Sequence, residues 1–399
     1  MADPRVIPLQ PEKIGGLLGR WPAKAAADKG SASEVFILKR IEPRTRFVLI
    51  ALAAAVLFIC LAYFGHGLTN PAGVRTTIGL IINPAPRPTR VSLPLLQDPV
   101  GLIAIAMTLL TPILFADQVR AIQAFNKMNE DNISYRAGSL DYDKINQEVR
   151  RTNKSFNTIG NGGVSIAIFL VSAVLSVLID VLIRDWGLFP SWNKTSLRTA
   201  AWRHLVYAGW WANFDSHRIL AVALWSLGCY FFYSVIKQVA MGACFATYVH
   251  RLQRWQFGVS PDMSANTDGY WGLRPARRFM QSTYSSALGH TIMILGILVV
   301  WLPFNAFTVF MLAVVLVINV LVVVYPSVVG HAGAYAEKER FSQYILANAQ
   351  EPAEDRAAVI EKIWDRPTLP FRPRSALTAM TVYFLFPLLL AVVSPLLGR

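Results

Sequence analysis

The sequence predicts an all-α fold, a polytopic membrane helix bundle of about seven transmembrane helices with its N-terminus cytoplasmic and its C-terminus outside. Three observations carry this prediction. Of 399 residues, 54% are hydrophobic and only 16% charged, and the mean hydropathy is positive, a balance too apolar for an ordinary water-soluble chain. Long runs without charge recur along the chain, and at about 1.5 Å per helical residue they are long enough to span a hydrocarbon core of roughly 30 Å. The basic residues gather in alternate connections.

Residues 1–46 form a cytoplasmic N-terminal leader. The first long apolar run begins only at Phe47, too late for a secretory signal. Most of the leader is expected to be flexible, although 14–21 could lie on a membrane surface and 34–42 could form an amphipathic lead-in helix. The membrane bundle, 47–397, opens with an uncharged span at 47–64. Pro84, Pro86, Pro88, Pro94 and Pro99 make the next connection extended, since proline fixes φ and removes a donor. A second span at 100–115 continues as helix through 116–125, built from good helix formers. A polar helix at 140–157 then returns toward Gly160 and Gly163, so 116–163 reads as a cytoplasmic helical hairpin.

The third span, 164–182, leads into a connection holding Trp186, Trp192, Trp202, Trp210 and Trp211. Indoles favour the headgroup level, which predicts that this connection hugs the outer interface. A fourth span runs over 219–247. The loop 247–287 overlaps the start of a fifth span, 279–302, and residues 303–306 join it to a sixth at 307–325 as a tight hairpin. A cytoplasmic segment, 330–375, holds a polar helix at 352–364. The seventh span is 376–397.

Orientation follows from charge. The segments 1–46, 116–163, 247–287 and 330–375 carry 28 Lys and Arg, whereas the alternate connections and the C-terminus carry 9. Positive connections stay on the cytoplasmic side, which places the chain in the cytoplasmic (inner) membrane as a multi-pass protein. The net charge of +14 is therefore spread beside apolar segments, where it suits anionic lipid headgroups as partners and gives no single basic domain for nucleic acid.

Charged residues within spans are costly and mark candidate sites, which selects Asp180 and Lys237 as ligand or ion candidates. Asp180 lies near the outer end of its span and Lys237 near the inner end of another, too far apart along the bundle for a pair. They either reach the two interfaces or face an aqueous vestibule. Asn319, in the sixth span, and His290, near the entry to the fifth, complete the candidates. The other histidines fall near span ends or in connections without HExxH or i,i+4 ligand spacing, and Cys60, Cys229 and Cys244 lack metal spacing, so neither a metal nor a cofactor is expected. No pair of acid and base residues or nucleophile motif marks an enzyme.

The loop around 260–278 is the densest cluster of acidic, glycine, aromatic and arginine residues between two spans. Asp262 and Asp268 could hold a cation or position a headgroup, and Arg274, Arg277 and Arg278 could take phosphate. Equally, Pro261, Gly269, Gly272 and Pro275 could simply shape a turn. Pro261-Asp262, followed by Asp268-Gly269-Tyr270-Trp271-Gly272-Leu273-Arg274-Pro275, resembles the Pro-Asp-Gly-x-Gly-Gly-Leu-type cytoplasmic loop of uncharacterised prokaryotic multi-pass membrane proteins. Here the Pro-Asp and Asp-Gly are separated and Trp271 replaces a small residue. The resemblance implies the span layout and no activity.

Two functions follow as expectations. One is a channel, transporter or receptor-like bundle moving or sensing a small solute or ion, with homo-oligomerisation as a route to a pore. The other is a non-catalytic accessory or scaffold subunit among foreign membrane subunits.

Overall fold

The computed structural model describes residues 8–11, 43–69, 75–76, 90–135, 142–188, 200–254, 274–302, 306–347 and 353–365. Of these, 87% are helical. The helices are α1 (Pro43–Phe64), α2 (Pro99–Tyr135), α3 (Tyr142–Gly160), α4 (Gly162–Trp186), α5 (Ala200–Ala208), α6 (Arg218–Arg254), α7 (Arg274–Gly296), α8 (Ala306–Ala347) and α9 (Ala353–Asp365). A π-helical turn, Ile297–Trp301, closes α7. Two short strands, β1 (Arg75–Thr76) and β2 (Val91–Ser92), pair in parallel.

Among the described residues three helices are long and apolar enough to cross a membrane: Val100–Gln123 within α2, Gly162–Trp186, and Arg218–Arg251 within α6. They coincide with the second, third and fourth predicted spans. Shorter apolar helices occur at Ala55–Phe64 and Ala306–Val315. The fifth predicted span falls in α7 and its π turn, a continuous helix whose apolar run is broken by Ser282, Thr283, Ser286, His290 and Thr291 and which is not among these three. The seventh predicted span lies outside the described residues.

Helix ends shift from the predicted ones for local reasons. α2 starts one residue earlier, with Asp98 as its cap and Pro99 at its first position, where the missing N–H costs nothing. It also runs on to Tyr135. α7 starts at Arg274 and α6 ends at Arg254, so both ends of the 247–287 loop are helical. α8 continues well beyond the predicted end at Tyr325.

α4 and α6 run antiparallel, with Ser165 beside Tyr233 and Lys237 and with Ser176 Oγ donating to the Trp225 carbonyl. α7 lies antiparallel to both α2 and α6. Met107 meets Gly289 and Val100 meets Gly296 on one side, and Phe245 meets Phe279 at a 4.4 Å ring separation on the other. One apolar core gathers Phe58, Leu93, Leu95, Val100, Ile183, Trp202, Trp210, Phe231, Leu298 and Trp301. A second, at the other end, gathers Phe115, Val119, Ile122, Met241, Phe245, Tyr248 and Phe279. α3 joins the second core because Ile145, Val149 and Phe156 recur at helical spacing on one face. Among the described residues the leader is tied down where Leu9 enters this core, Gln10 N–H donates to Asn153 Oδ1 (2.8 Å) and Asn153 Nδ2 donates to the Pro8 carbonyl (2.9 Å).

Candidate functional site

Between the two apolar cores lies a layer of buried polar side chains. α2 supplies Thr108 and Thr111, α6 supplies Ser234 and Gln238, and α7 supplies Ser286, His290 and Thr291. Pro112 lies inside α2 and gives the Thr108 carbonyl no amide to bond, which loosens this turn. The hydroxyls of Thr108 and Thr111 donate to the Ala104 and Met107 carbonyls, each at 2.7 Å, a contact that bends helices. Into this turn reaches Gln238. Its Nε2 donates to the Thr111 carbonyl at 3.2 Å and its Oε1 accepts from Ser286 Oγ, so one amide ties α2, α6 and α7.

The layer's hydrogen bonding is incomplete. His290 Nε2 in the layer, and Gln118 Oε1 and Ser282 Oγ one or two turns away toward the second core, are buried without a hydrogen-bond partner among the described residues, where buried polar atoms are normally paired. The His290 ring stands edge-on to Phe231 with centroids 5.4 Å apart.

Lys237 borders the layer and is fully buried. Its Nζ donates to Ser165 Oγ at 2.9 Å and sits 4.6 Å from the Tyr233 ring centroid, while Ser165 Oγ and Tyr233 Oη share a hydrogen bond of 2.7 Å. Among the described residues no carboxylate pairs with it. Ser165 is in the first turn of α4, so the ammonium is drawn toward that end of the bundle. Asp180 belongs to the opposite end, about 22 Å along α4 at the helical rise. It lines a cavity of about 50 Å³ with Thr108, Ser176, Trp225 and Trp301. The structure therefore keeps Asp180 and Lys237 apart.

The side chains of the remaining sequence candidates lie outside the described residues. Asn319 lies on α8 and Arg274, Arg277 and Arg278 lie in the first turns of α7, with side chains outside the described set. Asp262 and Asp268 fall outside the described residues.

Sequence reasoning missed a second polar centre, Asp98. Its carboxylate is fully buried and accepts four N–H groups: Trp210 Nε1 (2.9 Å) and Trp211 Nε1 (2.9 Å) on Oδ2, and Trp301 Nε1 (3.1 Å) and the Gly101 amide (3.1 Å) on Oδ1. No cation pairs with it among the described residues. Of the tryptophans expected at the outer interface, Trp202, Trp210 and Trp211 are buried within the protein, and the indole N–H groups of Trp210 and Trp211 have an acceptor there. The signal was Asp98-Pro99, a cap residue followed by proline at the first helical position.

No family model, curated protein or solved structure matches this chain. The site must be read from its own geometry. Among the described residues no group of three or more His, Cys, Asp or Glu could hold a metal ion. What the layer offers is hydrogen bonding: amide, hydroxyl and imidazole groups at the junction of three helices, beside one buried ammonium. Such a set can hold or pass a small polar species and has no nucleophile-base pair for covalent chemistry.

Proposed function

We propose that the chain is a multi-pass membrane protein that moves or senses a small polar solute or ion, with the layer of Thr111, Gln238, Ser286 and His290 as its binding station. One observation carries this reading: unpartnered polar atoms are buried inside the bundle, Gln118 Oε1 on a helix apolar enough to span a bilayer and His290 Nε2 on α7, which packs against two such helices. In hydrocarbon such groups are costly and are kept where they meet a solute, a proton or water. A topology of seven spans with the N-terminus inside a prokaryotic inner membrane belongs to the same proposal, and the charge asymmetry supports it.

The test is flux through reconstituted protein. Proteoliposomes holding the full chain are loaded with a pH dye, a chloride dye or a potassium dye and challenged with the matching gradient. Flux above empty liposomes that falls in Gln238→Leu or Ser286→Ala supports the proposal. Absence of any flux, together with stoichiometric foreign subunits after gentle extraction from the native membrane, favours the accessory reading and refutes this one.

A further inference from the structure

Outside the polar layer, α3 and α6 enclose an open crevice of about 530 Å³ lined by Arg151, Lys154, Ser155, Thr158, Cys244 and Arg251. Its charge is built from beneath. Glu148 is buried and holds two of the cations, with Arg151 Nη1 on Oε1 at 2.8 Å and Arg251 Nη1 on Oε2 at 3.5 Å. Three cations against one carboxylate leave a net charge of +2 around the crevice. Glu148 uses each oxygen once, so both guanidinium groups keep other N–H donors for a further acceptor, and both side chains remain well exposed, at 56% and 40%. The surroundings also point to a ligand class. α3 passes through Gly160 and Asn161 directly into α4, whose first turns expose Val164, Ile166, Phe169 and Leu170. A basic crevice thus adjoins an exposed apolar helix face.

We propose that this crevice binds the phosphate of an anionic lipid headgroup. Arg151 and Arg251 supply planar donors suited to phosphate oxygens, and Lys154 supplies a third cation. The acyl chains lie along the exposed apolar turns of α4, which a soluble phosphate ester would not use. Glu148 positions the arginines and does not touch the ligand. The site is independent of the polar layer, since no residue is shared.

The test is native mass spectrometry of the full chain in mild detergent, titrated with phosphatidylglycerol, with phosphatidylcholine and, separately, with glycerol 3-phosphate. Phosphatidylglycerol is expected to be retained over phosphatidylcholine. Lys154→Gln is expected to weaken retention about fivefold, the weight of one basic residue near an anionic surface, and Lys154→Glu more. Lys154 is exposed and makes no side-chain hydrogen bond or ion pair among the described residues, so both variants are expected to fold; equal melting temperatures check this. Arg151→Lys retains charge and loses the planar fork, and is expected to bind less well than the wild type. Equal retention of both lipids, or retention unchanged in Lys154→Glu, overturns the site. Binding of glycerol 3-phosphate that blocks phosphatidylglycerol without preference for the lipid overturns the lipid as the source.

Discussion

Replacing Asp98 tests the most densely bonded polar group in the fold. In Asp98→Ala the three indoles of Trp210, Trp211 and Trp301, all nearly fully buried, lose their acceptor at once, and α2 loses its cap. A buried donor left unsatisfied costs about 1–3 kcal/mol and a lost cap about 1 kcal/mol, so the loss is at least about 4 kcal/mol. Asp98→Asn is the sharper probe because it hardly changes volume. Its amide has one oxygen, which can accept two of the four donors, while its NH₂ group is set against the other two. At about 1 kcal/mol or more for each lost bond, the cost is at least about 2 kcal/mol. The assay is thermal unfolding in detergent followed by tryptophan fluorescence, to which the three indoles contribute among eleven. Both variants should melt several degrees below the wild type, alanine lowest. An Asp98→Asn protein with wild-type melting and emission would refute the claim that this carboxylate holds α2, α7 and the 207–217 segment together.

Further outcomes follow from other close contacts. Gly209 leaves a Cβ only 1.8 Å from the Val91 carbonyl oxygen, so Gly209→Ala should force β2 away and sharply lower the melting temperature, whereas Gly163→Ala, with open space around it, should leave it unchanged. Burial holds the pKa of half-buried His217 below its ordinary value, and nearby His66 adds to this against the Gly65 carbonyl contact. Below the unfolded value of about 6.5 the unfolded chain then binds a proton that the folded chain resists, so stability should fall as pH drops from about 7 toward 5, and His217→Gln should flatten that slope. Trp364 ties α9 to α8 through Nε1 to Ser342 Oγ at 3.0 Å and edge-on packing on Tyr335 at 5.2 Å; Trp364→Ala should release α9, read as faster limited proteolysis near 348–352.

Much of the helix layout was legible because apolar runs and caps are local signals. The 164–182 span needed only its hydropathy, and the polar helix after 140 shows its amphipathic repeat in Ile145, Val149 and Phe156. The site was less legible. Gln238, Thr111 and Ser286 are each unremarkable on their own helix, and they become a layer only when three helices bring them together. The Asp98 centre was hidden for a related reason. An indole prefers an interface when water or headgroups are its hydrogen-bond partners, and nothing near Trp210 in sequence announces that Asp98, more than a hundred residues earlier, supplies one instead.

The two ends of the bundle are stiffened differently from its middle. At one end Asp98 has each oxygen doubly bonded by N–H donors, and at the other Glu148 has each oxygen on an arginine. Disturbing either leaves a buried carboxylate or its donors unpaired, so each end has one low-energy arrangement. In the middle, α2, α6 and α7 are tied by the amide of Gln238, beside a proline-loosened turn and atoms without partners among the described residues. Rearranging it exchanges few bonds for few bonds. Motion between fixed ends should therefore concentrate in α2 around Thr111 and in the facing turns of α6 and α7, the place where a passing solute would have to be accommodated. Hydrogen exchange in the reconstituted protein tests this directly. Amides around 108–116 should exchange faster than those flanking Asp98 and Glu148, and uniform protection along α2 would contradict a soft centre between locked ends.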